Sequence, residues 1–415
     1  MTSKSRTRSF KEGRIYLDYA ASTPVDKDVA EAMKPYFTEN FGNPGSTHYF
    51  GQKAQAAIDN SREVVAKSIG AKFNEVIFTG SATEANNLAL RGVLKAASVP
   101  RPRVIVSSIE HESVLDTAKD LAASFQEASL APKRRGKEGV EVIYLPVCKE
   151  GFVDIESLKK RLTKNTVLVS VIYASNEIGA IQPINAIGKI IKDFRGNNIY
   201  PLFHTDAVQA FQFLGCDVNR LGIDSMTLSS QKIYGPKGVG ALYIRGLEVR
   251  EVNKPTKLQP IITGGGQEYG LRSGTENVPA IVGFGKAVEL IQKNKNKEAK
   301  RIKGLRDYFW RKLRAAKPEL ELNGPSISSP LRLPNNLSIY FPGVNSQDLL
   351  IKFDLNGVSL SAGSACSARS TKASHVIEAL NMGEDRARSS LRVSLGRPTN
   401  KKDIDTALKL VINLI

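Results

Sequence analysis

From about residue 75 the chain alternates short β-rich runs with stretches whose apolar residues recur at helical spacing, the pattern of a doubly wound α/β sheet. "EVIFT" (75–79) leads into "EANNLALRGVLKAA", and "RVIVSS" (103–108) into "SVLDTAKDLAASF". "TVLVSVIY" (166–173) is apolar along its length, as a strand covered on both faces must be. "INAIGKIIKDF" (184–194) predicts the next helix and "IYPLFHT" (199–205) the next strand, while "DSMTLSS" (224–230) and "VGALYIR" (239–245) complete the set. A glycine-rich stretch, "TGGGQEYGLRSGT" (263–275), then breaks the rhythm. Beyond it the spacing predicts one long helix over roughly 279–316, then strands near 335–341, 358–363 and 390–396. A final helix follows, with Thr399 or Asn400 as its cap. The second half of the pattern predicts a smaller α+β domain, and no tandem repeat is present.

With 415 residues, 41% of them hydrophobic and 24% charged, the chain has the composition of a globular protein with a large core. No apolar run approaches the ~20 residues that cross a bilayer. The start, "MTSKSRTRSFKEGR", lacks the apolar stretch of a secretory signal. It is basic and serine-rich, which leaves two readings: a short organelle-targeting segment, or a solvated tail, favoured because patterned sequence begins near Ile15. Cys148, Cys216 and Cys366 lie far apart without a CxxC pair, which argues against structural zinc or a disulfide framework. That usage fits a reducing compartment, so a cytoplasmic setting is expected, with an organelle as the alternative. The formal charge of +18 admits a polyanion-binding surface. The basic clusters at 132–137 and 293–301 carry no interleaved aromatics, so solvated faces come first and an RNA or acidic-partner surface second.

In open α/β sheets ligands bind beyond the carboxyl ends of the strands. The residues there form an unusual collection. Gly80-Ser81-Ala82-Thr83 is a small-residue turn that opens a helix. Glu110 and His111 follow 103–108, Ser175-Asn176-Glu177 follow 166–173, Asp206 follows 199–205, and Lys232 follows 224–230. Any one of these is weak evidence, because polar residues end strands routinely. Together they place an anion cradle, an imidazole, an amide, a carboxylate and an amine on one sheet edge. Those parts suit pyridoxal 5'-phosphate: a lysine amine to join its aldehyde, a carboxylate to keep its pyridine nitrogen protonated, and a helix N-terminus to hold its phosphate.

The sequence resembles the cysteine desulfurases of the class V aminotransferases, from about Ile15 to the C-terminus. The resemblance is carried by "YLDYAASTPVD", "FGNPGSTH", "FTGSATEANN", "IEHESVLDT", "NEIGAIQPI", "HTDAVQAF", "KIYGPKGVGALY", "GGGQEYGLRSGTEN", "SAGSACSA" and "SSLRVSLGR". It implies an aspartate-aminotransferase-like fold (fold type I of the pyridoxal-phosphate enzymes), with a mostly parallel sheet in the large domain. It also implies a division into an N-terminal segment that joins the small domain (1–26), the large domain (27–274) and the small domain (275–415). Lys232 matches the lysine that binds the cofactor covalently, Asp206 the partner of the pyridine nitrogen, and His111 the ring-stacking histidine. Thr83, Ser229 and the backbone around Ala82 match the phosphate cradle. Thr275 matches a phosphate ligand that reaches in from a second subunit, which implies a homodimer. Gln209 matches the group that bonds the cofactor's phenolic oxygen. Asn176 and Arg392 match the pair that receives the substrate carboxylate, and Asn43 lies in the loop through which substrate enters.

Cys366, within "SLSAGSACSARSTKAS", matches the nucleophile of the long-loop class, whose thiolate takes sulfur from L-cysteine as a persulfide and leaves L-alanine. Cys148 and Cys216 match no catalytic motif and are expected to be packing residues. One departure stands out: the family usually has histidine before the lysine, and this chain has Gln231. Glutamine donates a hydrogen bond toward a phosphate but carries no charge near neutral pH, so binding is expected to persist in weaker form. The implied partners are a sulfur-acceptor or iron–sulfur scaffold protein, tRNA-thiolation enzymes, or both. No membrane and no metal are implied. The alternatives are a selenocysteine lyase or another amino-acid lyase or aminotransferase on the same fold, and, from a different class, a non-catalytic RNA-binding protein.

Overall fold

The structure, a computed structural model, describes residues 13–129, 139–247, 257–363 and 373–415. A short first strand, β1 (Ile15–Tyr16), precedes a seven-stranded sheet. That sheet is built from β2 (Val76–Thr79), β3 (Arg103–Ser107), β4 (Glu141–Leu145), β5 (Thr166–Ser170), β6 (Leu202–Asp206), β7 (Ser225–Ser229) and β8 (Gly240–Ile244), in the order β2-β8-β7-β6-β5-β3-β4. Only β8 runs antiparallel to its neighbours. The parallel strands therefore send their carboxyl ends to one edge, as the alternation of strands and helices requires.

Both faces of the sheet are covered, and the pleat divides the side chains between two cores. Ile77, Val104, Val106 and Leu242 pack with the helices Ala82–Ala96 and Glu112–Ser129. Val76, Phe78, Ile105, Ala241 and Tyr243 face the opposite core with the helices Tyr49–Ser68, Ile184–Arg195 and Val278–Ala316. Strands buried on both faces have no polar side to show, which is why their sequences read as apolar runs.

The strand β4 was absent from the sequence reading because it is the sheet's edge: Glu141 and Tyr144 are exposed and only Leu145 is fully buried. The 20-residue helix Tyr49–Ser68 was also absent from it. Its buried face is made of Gly51, Ala54, Ala57, Ile58, Ser61 and Arg62 among others, too small and too polar to register as an apolar stripe. Asn400 caps the last helix, in a reciprocal capping box with Asp403.

Beyond the long helix a second sheet, β12-β10-β9, joins β9 (Glu321–Leu322), β10 (Asn336–Tyr340) and β12 (Ser390–Ser394) in antiparallel fashion. The first strand lies parallel to β11 (Val358–Ser359), and Asp18 bridges to Ser394, so the segment from residue 15 is tied to the C-terminal part of the chain.

Within β6, His204 is fully buried between the hydroxyls of Ser170 (2.9 Å) and Thr227 (3.1 Å). Burial alone drives its imidazole down to about 3, so it stays neutral in the folded chain. Once unfolded, the ring takes up a proton below about pH 6.5, so stability on this account is intact above that pH and declines as the pH falls toward 3. A His204→Asn variant, measured by chemical denaturation at pH 7 and pH 5, should therefore lie closer to the parent at pH 5. The gap is expected to shrink by up to about 1.4 kcal/mol per pH unit.

Candidate active site

The carboxyl ends of β3, β5, β6 and β7 and the turn after β2 surround one pocket. Of the residues expected from the sequence, Ala82, Thr83, His111, Asn176, Asp206, Gln209, Ser229, Gln231, Lys232 and Arg392 all line it. Glu110 lies behind His111, fully buried, its carboxyl pushed up to about 8 chiefly by that burial. Its Oε1 accepts the Ser107 hydroxyl (2.8 Å) and the Ile172 N–H (2.6 Å).

Lys232 ends the short 3-10 turn Ser230–Lys232 that follows β7. Its Nζ donates to the carbonyl oxygen of Ala20 at 2.9 Å and to that of Ala21. The Gln209 amide donates to the same Ala20 oxygen at 2.9 Å. The backbone on either side of the lysine is stitched to the early segment: Thr23 bonds the Gln231 carbonyl through its hydroxyl (2.8 Å) and accepts the Tyr234 N–H (2.9 Å). Ile233 and Tyr234 are buried. The lysine thus belongs to an interior hinge and not to a solvated loop.

Asp206, 4% exposed, accepts the Asn86 amide at 2.8 Å and the Val208 N–H at 3.0 Å. Asn86, itself fully buried, also donates to the Ser113 hydroxyl at 2.8 Å, and that oxygen lies 2.8 Å from His111 Nδ1. The Ser113 N–H donates to the same Nδ1 at 3.1 Å, which makes it the acceptor and puts the neutral ring's proton on Nε2. Asn86 and Ser113 were not singled out from the sequence. Each sits inside a helix start whose polar residues have ordinary capping uses, so nothing in their spacing marks them.

The helix Ala82–Ala96 opens at the pocket, with Ser81 as its N-cap accepting the Glu84 N–H at 3.1 Å. The N–H groups of Ala82 and Thr83 are left at the open end, where the helix dipole favours an anion. Gly240 makes this geometry affordable to the fold: a Cβ there would fall 2.7 Å from the Ser81 carbonyl carbon and 2.8 Å from the Ala82 nitrogen. Glu84, an acid in the first turn, is neutralised by Arg272 at 2.9 Å and accepts the Gly80 N–H at 2.9 Å. The same glycine-rich stretch that supplies Arg272 is held by a buried two-point pairing of Glu268 with Arg62, at 2.7 and 2.8 Å. Glu268 and Tyr269 both adopt left-handed backbone angles there.

Arg392, on β12, is 2% exposed. Its Nη2 bonds Asp18 at 2.8 Å and its Nη1 bonds the Asn176 carbonyl at 3.3 Å, while its buried Nε has no partner among the described residues. A buried guanidinium with an unused donor suits an incoming carboxylate. The residues present fit pyridoxal phosphate on the same grounds: open helix-end N–H groups and hydroxyls at one end of the pocket, and a buried carboxylate, an amine and an imidazole around the rest.

Some expected residues stand elsewhere. Thr275 is exposed and outside the pocket lining. Asn43 is exposed too and outside the lining, its side-chain oxygen accepting the N–H of Gly45 (2.9 Å). Cys366 lies outside the described residues. Cys216 is a packing residue as expected, buried with its thiol pushed up to about 12. Cys148 is not: it is exposed, its thiol 3.2 Å from Glu150. Among the described residues no helix is long and apolar enough to cross a membrane.

Residues 15–407 match the family Aminotransferase class-V. The chain is similar to the cysteine desulfurase IscS of Dictyoglomus turgidum, 45% identical over 401 residues that cover 97% of this chain and 94% of that one. Among solved structures it resembles a NifS-like protein at 33% identity and a TM-score of 0.84, covering 96% of this chain and 98% of the other. It also resembles SspA in complex with cysteine, at 35% identity and a TM-score of 0.71, covering 92% and 98%.

Proposed function

The chain belongs to the aminotransferase class-V family and is an L-cysteine desulfurase, and from that premise we propose how its residues divide the work. What carries the reading is the convergence, in one pocket, of the Lys232 amine, the Asp206 carboxylate, the His111 imidazole and the open end of the helix Ala82–Ala96. Pyridoxal phosphate, when bound, serves as an electron sink for the substrate's α-carbon. Thr83, Ser229, Gln231 and the backbone at Ala82 would hold its phosphate, with Thr275 of a second copy completing the cradle. Asp206, its position fixed by Asn86, would bond the ring nitrogen, and Gln209 would bond the phenolic oxygen. Lys232 is the covalent anchor, and a lysine or imidazole nitrogen moves protons at the substrate. Arg392 and Asn176 receive the substrate carboxylate, with Asp18 holding the guanidinium in place.

Cys366 takes the sulfur. Its thiolate forms an S–S bond to the substrate sulfur as the substrate's Cβ–S bond breaks. Cβ keeps the bonding pair and takes up a proton, so the products are L-alanine and a persulfide on Cys366. We further propose a homodimer in the cytoplasm, with the large unit at 27–274 and the small one at 275–415. The persulfide sulfur passes to an iron–sulfur scaffold protein, to tRNA thiolation, or to both. Incubating the purified protein with L-cysteine and a reductant should give alanine and sulfide in equal amounts. Protein fully loaded with cofactor that yields neither would overturn the reading in favour of another lyase or an aminotransferase.

A further inference from the structure

Of the two residues that flank the Cys366 segment, Ser374 bonds a buried carboxylate and Gly363 lies beside the pair. The Ser374 hydroxyl donates to Oε2 of Glu177. A Cβ added to Gly363 would fall 3.4 Å from that same oxygen and 3.3 Å from the Ser374 Cβ, and Gly363 holds a φ of +65°, a conformation open to glycine. Glu177 is 3% exposed, and among the described residues no lysine or arginine pairs with it. Its own backbone is fixed, with the N–H on Ser175 Oγ (3.3 Å) and the carbonyl accepting from Asn336 (3.0 Å). A carboxylate withdrawn from water without a cation is costly, and a hydroxyl donor to it makes a strong charge-assisted bond. A second tie lies next to it: His375 Nε2 donates to the Glu110 carbonyl at 3.0 Å.

The arrangement has a common logic. Glu110 precedes His111 and Glu177 follows Asn176 at the ends of neighbouring strands β3 and β5. In each pair one residue lines the pocket and the other grips the chain just beyond Cys366. We propose that Glu177 is a positioning residue for desulfuration: through Ser374 it fixes the C-terminal root of the Cys366 segment, next to Gly363 at the other root, to the strand end that carries Asn176. Cys366 lies three residues after Gly363 and eight before Ser374 in the sequence, so loosening the Ser374 root should slow sulfur transfer without changing cofactor binding.

The inference rests on the desulfurase reading, since only sulfur transfer needs that thiol placed, and the test separates the two. Parent, Glu177→Ala, Ser374→Ala and Ser374→Thr proteins are loaded with cofactor and mixed with L-cysteine. The absorbance change on binding and the single-turnover formation of alanine are followed together. Misplacing reacting groups by ~1 Å costs on the order of 100-fold, so Glu177→Ala should form alanine about 100-fold more slowly and Ser374→Ala about 10-fold more slowly. Both should keep full cofactor loading and the binding absorbance change, and Ser374→Thr, which keeps the hydroxyl, should recover the parental rate. Parental alanine rates in Ser374→Ala, or a loss of loading in step with the loss of rate, would overturn the proposal. Should Glu177→Ala fail to fold, the serine variants decide alone. Absence of alanine from the parent would instead strike the desulfurase reading itself.

Discussion

Cys366→Ser is expected to stop alanine formation from L-cysteine while leaving the protein yellow and fully loaded with cofactor. A serine alcohol is not ionised near neutral pH and cannot become a persulfide, whereas a free thiol with a pKa of about 8.5 needs only modest help to ionise. Loss of a nucleophile that no neighbour replaces should lower the rate by about 10³-fold or more. Neither other cysteine can stand in. Cys216 is buried, and burial keeps its thiol protonated. Cys148 is exposed beyond β4, beside Glu150, and is not among the residues lining the pocket. Alanine measured by amino-acid analysis, with cofactor loading read by absorbance, checks this result. Alanine produced at the parental rate would mean that sulfur leaves by a route that bypasses Cys366.

Lys232→Ala should have an effect at least as large, with a different signature. The variant loses the covalent anchor and the amine that bonds the Ala20 and Ala21 carbonyls, so turnover is expected to fall by about 10⁴-fold or more. Asp206, His111 and the open helix end remain, so the cofactor should still bind, though reversibly and more weakly. Borohydride reduction followed by peptide mapping gives a readout independent of turnover. In the parent the pyridoxyl label should fall on the peptide containing Lys232, and in the variant it should be missing. A parent labelled elsewhere would remove the central assignment.

Much of this site was legible because a parallel sheet writes its ligand edge into the sequence. Each buried strand is a conspicuous apolar run, and the residue that follows it is forced to one side of the molecule. Lys232, Asp206, Asn176 and His111 were found in this way before any likeness to a family was used. Arg392 was not. It comes from β12 of the other sheet, and only the resemblance placed it, because no local pattern says that a residue 216 positions beyond Asn176 will bond its carbonyl. The network from Asp206 through Asn86 and Ser113 to His111 escaped for the same reason: its links span 120 and 27 positions. The spacing does not mark helix Tyr49–Ser68 because its inner face is largely small or polar, and Arg62 is buried there paired with Glu268 and bonded to the Val76 carbonyl. Asn43 was tied to the site by likeness alone, and in this chain it is exposed and outside the pocket lining.

The run from β1 to Thr23 has a consequence for how the molecule is made. It lies on β11, bridges to Ser394, and then supplies the carbonyls over Lys232. These residues are synthesised long before their partners near 358 and 394. Until those partners are made, the roof over the Lys232 pocket has nothing to rest on. The pocket closes only after residue 394 has been made, and the nascent chain has to keep the run from β1 to Thr23 uncommitted until then.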